Sequence, residues 1–400
     1  MAPSQKILIA GGGIGGCAAA HALRRRGFMV EVFERSPEIK EVGAGLSLWP
    51  NATRVLRLLG LGHIVERLAG PFVDSAIFTA RGDLVTRNPA TIFNDRYGDP
   101  LILVHRAELL DALIDVLGPD VVRTGARCEG FAQDREGVTL RLVGGEEVRG
   151  DLLIGADGIR SAVRRELGLP TRTRYAGYTS WRGIMRLADS GLDVDDDFWG
   201  YYLGEGKQVG ISALSGGRVY WFATKNTKPG GHGSPDGHKS DLLALLTHWP
   251  KAVRRIVGAT PADVVMRNDI IDLKPVKRWG EGRVTLLGDA AHAATPNMGQ
   301  GACMALEDAL ILAQCLSGSS DLVAGLRDYE SRRIARANRI VARSWWTGKL
   351  FQLDSRVLCW LRDRFVLRAP IDQRLEQLDW LLAEPFVEAK SIGAAMGVSP

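Results

Sequence analysis

The sequence predicts an α/β protein that combines a parallel sheet, an antiparallel sheet and a helical C-terminal segment. The parallel sheet is indicated by apolar stretches at residues 7–10, 151–155 and 283–287, each of which runs into a glycine-containing turn. The antiparallel sheet is indicated by residues 201–223, where alternating apolar and polar positions are interrupted by glycine-rich turns. The 400 residues, 46% hydrophobic and 24% charged, have the ordinary composition of a globular chain of one large α/β unit with a second lobe.

The N-terminal motif is a strand followed by a glycine-rich turn. Residues 7–10 read Ile-Leu-Ile-Ala, and Gly11, Gly13 and Gly16 then fit the spacing G-x-G-x-x-G. In this spacing the first glycine makes a tight turn, the second lets the backbone approach a pyrophosphate, and the third packs helix on strand. The next helix, predicted over about residues 14–26, directs its N-terminal N–H groups at the phosphates. The motif therefore predicts a Rossmann-like dinucleotide site.

Acidic residues stand at the ends of the predicted parallel strands. Residues 30–34 form a second strand that ends in Glu34, whose carboxylate can accept hydrogen bonds from a ribose. Asp157 and Asp289 follow the two later apolar stretches. Because the carboxyl ends of parallel strands meet at one edge of the sheet, these acids are expected to line one crevice. A helix predicted over about residues 302–316 directs its positive end toward the same crevice.

Together, these segments resemble the class A flavoprotein monooxygenases, a family that includes para-hydroxybenzoate hydroxylase, salicylate hydroxylase, urate hydroxylase and zeaxanthin epoxidase. The resemblance extends from Lys6 to about Arg343. It is nearest to the urate hydroxylase and zeaxanthin epoxidase branch, through residues 174–178, 204–207 and 296–301. It implies a para-hydroxybenzoate hydroxylase-type FAD-binding domain, with FAD as the bound cofactor and NAD(P)H and O2 as co-substrates.

The resemblance also implies roles for single residues. In this family the residues that match Glu34 and the glycine-rich turn hold the ADP half of FAD, and the residue matching Asp289 binds the ribityl chain. The residue matching Asp157 serves both FAD and NAD(P)H, Arg106 matches an arginine that contacts FAD, and residues 43–47 match the loop beside the flavin ring. The predicted cofactor-binding residues are Gly11, Gly13, Gly16, Glu34, Arg35, Gly45, Ser47, Arg106, Asp157, Asp289, Pro296, Gly299 and Gly301.

The residues that match the urate-binding positions of the family are partly changed. The arginine of the urate enzymes falls at Gln208 and their aspartate at Asn297, whereas their tyrosine is retained as Tyr220. Because two of the three charged or polar anchors are neutral here, we expect a neutral, fairly apolar aromatic or heteroaromatic substrate instead of urate. Tyr220, Gln208 and Asn297 are the predicted catalytic residues, with Tyr220 orienting the substrate or handling a proton.

The predicted function is an FAD-dependent monooxygenase that hydroxylates or epoxidises such a compound through a flavin C4a-hydroperoxide, in secondary metabolism or aromatic degradation. One alternative is a non-catalytic FAD-binding regulatory protein. Another is a flavin enzyme of a different reaction type, such as a reductase or a halogenase-like enzyme, although no W-x-W-x-I-P motif is present. The aromatic residues of the antiparallel sheet are expected to keep the pocket dry, with ordinary core filling as the alternative for each: Trp181, Trp199, Tyr201, Tyr220 and Trp221.

The predicted domain organisation is discontinuous. The FAD-binding domain is assigned to residues 1–71, 101–173 and 271–343, the substrate-binding sheet to 72–100 and 174–270, and the C-terminal helices to 344–400. Residues 225–239, rich in Gly, Pro and His, are expected to form a mobile loop. A second G-x-G-x-x-G is missing, so NAD(P)H is predicted to bind without a Rossmann domain of its own.

The C-terminal segment alternates arginines with large apolar residues from Arg332 to Arg368. Two interpretations remain open for it. The favoured one is that the segment covers the apolar side of the substrate pocket. The alternative is peripheral membrane contact, because basic residues beside aromatic and aliphatic ones are what an interfacial helix needs.

The remaining features exclude several classes of protein. The five cysteines lack C-x-x-C spacing and the histidines lack ligand spacing, so free thiols and no metal site are expected. His292 is expected to be packed and hydrogen-bonded and not to act as a base. No signal peptide or transmembrane segment is recognisable, and a net charge of +5 without a recognised module argues against nucleic-acid binding. A cytoplasmic monomer or dimer is expected.

Overall fold

The expected combination of a parallel and an antiparallel sheet is present in a computed structural model, which describes residues 5–38, 44–230 and 235–383. The strands are β1 (Lys6–Ala10), β2 (Met29–Phe33), β3 (Gly45–Leu48), β4 (Ser75–Thr79), β5 (Leu84–Asn88), β6 (Ile102–His105), β7 (Val122–Arg123), β8 (Cys128–Gln133), β9 (Val138–Leu142), β10 (Glu147–Gly150), β11 (Leu152–Gly155), β12 (Thr173–Arg186), β13 (Gly200–Leu203), β14 (Lys207–Leu214), β15 (Arg218–Asn226), β16 (Met266–Leu273) and β17 (Val284–Leu286).

The helices alternate with these strands in the N-terminal half and dominate the C-terminal part. They are α1 (Ile14–Arg24), α2 (Pro50–Leu58), α3 (Gly62–Leu68), α4 (Ile92–Tyr97), α5 (Arg106–Leu117), α6 (Ala162–Glu166), α7 (Pro235–Leu245), α8 (Lys251–Ala259), α9 (Asp289–His292), α10 (Gly301–Ser317), α11 (Leu322–Phe351), α12 (Arg356–Leu361) and α13 (Ile371–Leu382). Short 3-10 turns cover Leu187–Ser190, Ala262–Val264 and Pro296–Met298, and a π-helical turn covers Arg362–Val366.

The parallel sheet has the strand order β17-β11-β1-β2-β7. Strand β1 is central, with Ile7 opposite Leu152 on one side and Val30 on the other. Its residues 7–10 are fully buried, which explains why the sequence there is continuously apolar. Helix α1 packs against α5 and α10. A cavity borders the carboxyl edge of the sheet at Gly11 and Asp157, and Asp289 follows β17 at the same edge.

The antiparallel sheet has the strand order β16-β12-β15-β14-β13-β4-β5, with β4 and β13 parallel. One of its faces forms a second hydrophobic core with α7 and α8, through side chains such as Leu242 and Val253. The other face looks toward the parallel unit. Helix α7 begins at Pro235, so the expectation of a loop through residue 239 is wrong at its end. The apolar residues of α7 that enter the second core account for the difference, and residues 231–234 lie outside the described part.

Helix α11 connects the two sheets. The Tyr329 hydroxyl donates to the Leu286 carbonyl at 3.1 Å in the parallel unit, and the Asn226 Nδ2 of β15 donates to the carbonyl of Gln352, which follows the helix, at 2.9 Å. The predicted domain boundary at residue 343/344 falls inside this 30-residue helix. Within the described ranges, no helix is both long enough and apolar enough to cross a membrane.

Candidate active site

The glycine-rich turn borders a cavity of about 660 Å³ at the carboxyl edge of the parallel sheet. Gly11 has φ 113°, and a Cβ there would clash with the Ala156 carbonyl, whereas a Cβ at Gly16 would clash with the Gly11 carbonyl. These two glycines are therefore required by the contacts of the protein itself. At Gly13 a Cβ would meet nothing within 4 Å. The space beside Gly13 is thus left for a ligand, which fits a pyrophosphate that approaches the backbone.

Glu34 closes the same turn from the end of β2. Its carboxylate accepts hydrogen bonds from the backbone N–H of Gly12 at 2.8 Å and of Ser36 at 2.9 Å. A carboxylate has about four acceptor positions, so two remain for a ribose. Arg35 and Arg106 also line the cavity.

Asp157 lies just after β11, and only one of its two carboxylate oxygens accepts hydrogen bonds. Oδ2 accepts from the backbone N–H of Ala162 at 2.7 Å and of Val163 at 3.3 Å, at the start of α6. Oδ1 is buried and is without a hydrogen-bond partner. Burial raises the pKa of this carboxyl, while the hydrogen bonds to its charged form oppose the shift. An unsatisfied acceptor at the wall of the cavity fits a ligand hydroxyl or amide donor.

Asp289 begins α9 shortly after the β17 strand end, and its side chain is exposed but is not among the described residues that line the 660 Å³ cavity. The turn before Asp289 is held by α10, because the N–H of Gly288 donates to Oδ2 of Asp308 at 3.0 Å. The same oxygen lies 2.6 Å from Nε2 of His292. The expectation that His292 is packed and hydrogen-bonded is therefore confirmed.

Asp308 belongs to a buried charge network that the sequence analysis missed. Glu307 and Asp308 of α10 are fully buried. Arg333 of α11 donates to Oε2 of Glu307 at 2.6 Å and to Oδ1 of Asp308 at 2.7 Å. Arg336 and Asn51 also donate to Glu307, at 2.8 Å and 2.6 Å. The signal in the sequence was the pair of adjacent acids inside an otherwise apolar helix.

The network lowers the pKa values of both acids. Burial disfavours ionisation of Asp308, but its interactions with His292 and Arg333 outweigh burial and lower its pKa to about 2. Burial likewise opposes ionisation of Glu307, and the charges of Arg333 and Arg336 lower its pKa. Both carboxylates are therefore ionised at neutral pH. They hold the Gly288 turn and, through Asn51, the side chain of Gln300, whose Oε1 accepts from the same Asn51 Nδ2 at 3.0 Å.

Strand β3 lies between the loop before α10 and the antiparallel sheet. Gly299 has φ 62°, and a Cβ there would clash with Oγ of Ser47 and come within 2.8 Å of Nε1 of Trp49. A Cβ on Gly45 would clash with the ring of Tyr220. The predicted cofactor residues Gly45, Ser47 and Gly299 thus meet beside Tyr220. Pro296 lies in the turn before Gly299 and Gly301 begins α10, while position 43 of the predicted loop is outside the described residues.

A second cavity, of about 350 Å³, lies on the inner face of the antiparallel sheet. Tyr201 and Ser212 contribute from the sheet, and Asn297 from the loop before α10. The C-terminal part closes the opposite side through Thr347 and Phe351 of α11 and two leucines of α13. The expectation that this part covers the pocket is confirmed for these side chains. The other lining residues include Trp49, Phe72, Phe93, Trp199, Met298, Leu378 and Leu381.

The three predicted catalytic residues lie in different surroundings. Asn297 lines the cavity, and its Oδ1 accepts a hydrogen bond of 2.6 Å from the hydroxyl of Tyr178. Tyr220 and Gln208 are on the same face of the sheet but outside the cavity lining. Gln208 is 4% exposed and its Oε1 is without a partner. Its neighbour Thr224 is hydrogen-bonded to Gln352.

Tyr220 is a hydrogen-bond donor and not a base at neutral pH. Burial raises its pKa to about 12, and the positive charge of Arg182 offsets only part of this shift. The protonated phenol can donate one hydrogen bond and accept others. Of the two roles predicted for Tyr220, orienting a ligand therefore fits its ionisation state.

Of the five aromatic residues predicted to line the pocket, Trp181 and Trp221 face the other side of the sheet, and Tyr220 faces inward but is outside the cavity lining. Trp181 and Trp221 point into the second hydrophobic core, where Nε1 of Trp221 donates to the Thr260 hydroxyl at 2.8 Å. Side chains alternate between the faces of a strand, so the neighbouring positions Tyr220 and Phe222 face inward instead. Tyr201 and Trp199 do line the second cavity.

Comparisons with known proteins agree with this geometry. The family model described as FAD binding domain matches residues 4–344. The aurachin C monooxygenase/isomerase of Stigmatella aurantiaca is 41% identical over 90% of this chain and 93% of that protein. The FAD-dependent urate hydroxylase of Klebsiella pneumoniae is 37% identical over 85% of this chain and 88% of that protein. The crystal structure of Klebsiella pneumoniae HpxO complexed with FAD and uric acid superimposes with a TM-score of 0.89 at 34% identity, covering 96% of this chain and 98% of that one.

Proposed function

Since the chain belongs to the FAD binding domain family of class A flavoprotein monooxygenases, we propose that it oxygenates a neutral, fairly apolar aromatic or heteroaromatic compound. It is an FAD-dependent monooxygenase, and NAD(P)H is the co-substrate typical of this family. The predicted resemblance, fold class and cofactor are confirmed. The relatives lend no support to a regulatory protein, a reductase or a halogenase-like enzyme.

The residues of the first cavity fit FAD. The open space at Gly13 suits the pyrophosphate, and the two remaining acceptor positions of Glu34 suit the adenosine ribose. The unpartnered Oδ1 of Asp157 and the exposed carboxylate of Asp289 suit hydroxyl donors further along the cofactor. When bound, FAD supplies electron transfer from NAD(P)H and activation of O2, and the protein supplies orientation and a dry pocket.

The substrate class follows from one observation, the absence of charge in the second cavity. Among the described residues that line this cavity, none carries a charged side chain. Its polar groups are neutral, among them the Asn297 amide, which accepts a hydrogen bond from Tyr178. A charged substrate would lose its hydration there without a counter-charge, which is costly. Relatives that are named for urate and aurachin C support a ring compound as substrate.

We assign different roles in orienting the substrate to the polar residues in and near the cavity. We assign Asn297 to a substrate heteroatom, because it is the only predicted catalytic residue in the described lining. Tyr220 is assigned to the flavin side of the ring, since it packs on Gly45. Gln208 supports this arrangement with a neutral amide where the urate-type enzymes have an arginine.

The free state of all five cysteines supports our placement of the enzyme in the cytoplasm.

A screen of ring compounds for stimulated NAD(P)H consumption tests the substrate class. Neutral, apolar ring compounds are expected to stimulate consumption with formation of an oxygenated product, and their carboxylated analogues are expected to be at least about tenfold poorer in kcat/KM. Desolvation of an uncompensated charge underlies this difference. Tight coupling with urate or simple benzoates would refute the proposal.

The same screen can be repeated with Asn297→Asp. This change puts a carboxylate into the uncharged cavity and should raise KM for the neutral substrate about tenfold at unchanged FAD content. Asn88→Asp is the matched control, because Asn88 also lines the cavity but accepts a hydrogen bond from Arg374 at 3.0 Å. Its new charge would be compensated, so KM should change little. Equal effects of both variants would mean that Asn297 does not contact the substrate.

The closing side of the cavity gives a further prediction. Phe351→Ala should admit water and let reduced oxygen species escape, so more hydrogen peroxide is expected per NAD(P)H consumed. Trp346→Ala, on the outward side of the same helix and 69% exposed, should leave the peroxide yield unchanged. Wild-type coupling in Phe351→Ala would show that α11 does not seal the pocket.

A further inference from the structure

The surface beyond the closing side of the cavity is unusually apolar. Among the described residues, seven of the fourteen exposed large apolar side chains fall between residues 346 and 366. We call these seven the apolar cap. They are Trp346, Val357, Leu358, Trp360, Leu361, Phe365 and Val366. Trp346, Val357, Trp360 and Phe365 are each at least 60% exposed.

Buried residues of the same segment keep the apolar side chains of the cap directed outward. Cys359 and Arg362 are buried, and Nη1 of Arg362 donates to the carbonyl of Phe351 at 3.3 Å. The rings of Trp360 and Phe365 pack edge to face, 6.0 Å apart, on the outer side. The chain therefore fixes these aromatic groups toward the outside although burying them would be favourable.

Basic residues surround the cap. The exposed charged side chains between residues 343 and 368 are Arg343, Lys349, Arg356, Arg364 and Arg368 against the acid Asp354. Two other arginines of the tail, Arg333 and Arg336, pair with the buried Glu307, and the exposed Arg339 stacks on the Trp380 ring at 3.8 Å. Arg356 pairs with Glu205 at 3.4 Å, which leaves Arg343, Lys349, Arg364 and Arg368 around the cap. The charge that remains outside is thus positive and lies beside the apolar cap.

We propose that the apolar cap docks on an anionic lipid bilayer surface. Exposed Trp and Phe flanked by Arg and Lys combine the two terms that hold a protein at such a surface, apolar insertion and attraction to anionic headgroups. A second copy of the chain is the other candidate occupant. It would bring the same arginines together around the contact, where like charges repel.

Docking at this place has a consequence for the substrate, which rests on the proposed function. Trp346 belongs to the cap, and its neighbours Thr347 and Phe351 on the same helix line the uncharged cavity. The residues that close the cavity therefore lie next to the docked surface. A lipophilic ring compound dissolved in the bilayer could enter the cavity without crossing water, so we assign the substrate to the membrane-partitioning class.

Sedimentation of the full-length, FAD-loaded enzyme with vesicles tests the docking. The wild type is expected to bind vesicles of phosphatidylcholine with phosphatidylglycerol, to bind pure phosphatidylcholine less, and to be released by added salt. The triple variant Trp346→Ser, Trp360→Ser and Phe365→Ser should bind at least about tenfold more weakly. Arg364→Gln with Arg368→Gln should weaken binding and reduce its salt dependence. Met29→Ser, which removes an apolar side chain 51% exposed elsewhere, should bind like the wild type.

Three results would overturn the docking proposal: no binding of the wild type at low salt, equal binding of the triple variant, or a wild-type dimer that the triple variant dissociates while neither binds vesicles. The last result would assign the cap to a second copy. Flavin content of the triple variant checks its folding. Vesicle binding is measured without turnover. An enzyme that binds vesicles but oxygenates no ring compound would therefore disprove the proposed function and leave the docking surface intact.

Discussion

Replacing Asp289 with alanine is expected to give protein that is purified mostly without FAD. The Asp289 carboxylate is exposed at the start of α9, after a turn that Asp308 fixes through the Gly288 N–H. Loss of one hydrogen bond to a charged group costs about 1.5–3 kcal/mol, so FAD affinity should fall at least about tenfold for each bond lost. The measurement is the ratio of visible flavin absorbance to protein absorbance, with chromatography of the cofactor released on denaturation. That cofactor should be FAD and not FMN.

Three further variants locate the effect. Glu34→Ala should also be mostly colourless, because the ribose acceptor and the hydrogen bond from the Gly12 N–H are lost together. Glu34→Gln keeps one acceptor and should retain more FAD. Asp263→Ala, an exposed acid in the antiparallel unit, should remain yellow. If Asp289→Ala were fully yellow, the crevice would be misplaced.

Replacing Arg333 with alanine is expected to be the most destabilising single change. It would leave Glu307 and Asp308 buried without the arginine that pairs with both of them. Breaking a buried ion pair from one side costs about 3–5 kcal/mol. The matched control is the neighbouring Arg332→Ala, whose pair with Asp328 is exposed and worth at most about 1 kcal/mol. Urea unfolding of both FAD-loaded variants gives the comparison, and similar midpoints would contradict the role of the network.

The network also predicts how stability depends on pH. The pKa values of Asp308 and Glu307 are lower in the folded protein than their ordinary values near 4. Their contribution to the free energy of unfolding is therefore complete above about pH 4. It is lost as the pH falls through the pKa values of the folded protein, which for Asp308 is a pKa of about 2. The wild type should lose stability across this interval. Arg333→Ala should show a smaller loss there, since the pKa values of its two acids are less depressed.

The sequence by itself determined the dinucleotide unit, because its signals are local. Gly16 is required by the Gly11 carbonyl of the same turn, Gly11 has φ 113°, and the fully buried strands are read directly from unbroken apolar runs. The resemblance to a flavoprotein family added the cofactor. The alternation of apolar and polar residues over 201–223 also predicted the antiparallel strands, since successive side chains of any strand point to opposite faces.

Only the tertiary structure decided which face of each element meets which partner. Alternation could not say whether Trp221 or Phe222 faces inward, because both assignments give an apolar pattern and the second core beneath α7 and α8 selects between them. Nor could it show that the arginines of α11 split between buried acids and an outer apolar cap. Glu307 and Arg333 are 26 residues apart in sequence, and whether a charged or aromatic side chain is buried depends on neighbours brought by the rest of the fold. Such contacts are non-local, so local sequence patterns do not determine them.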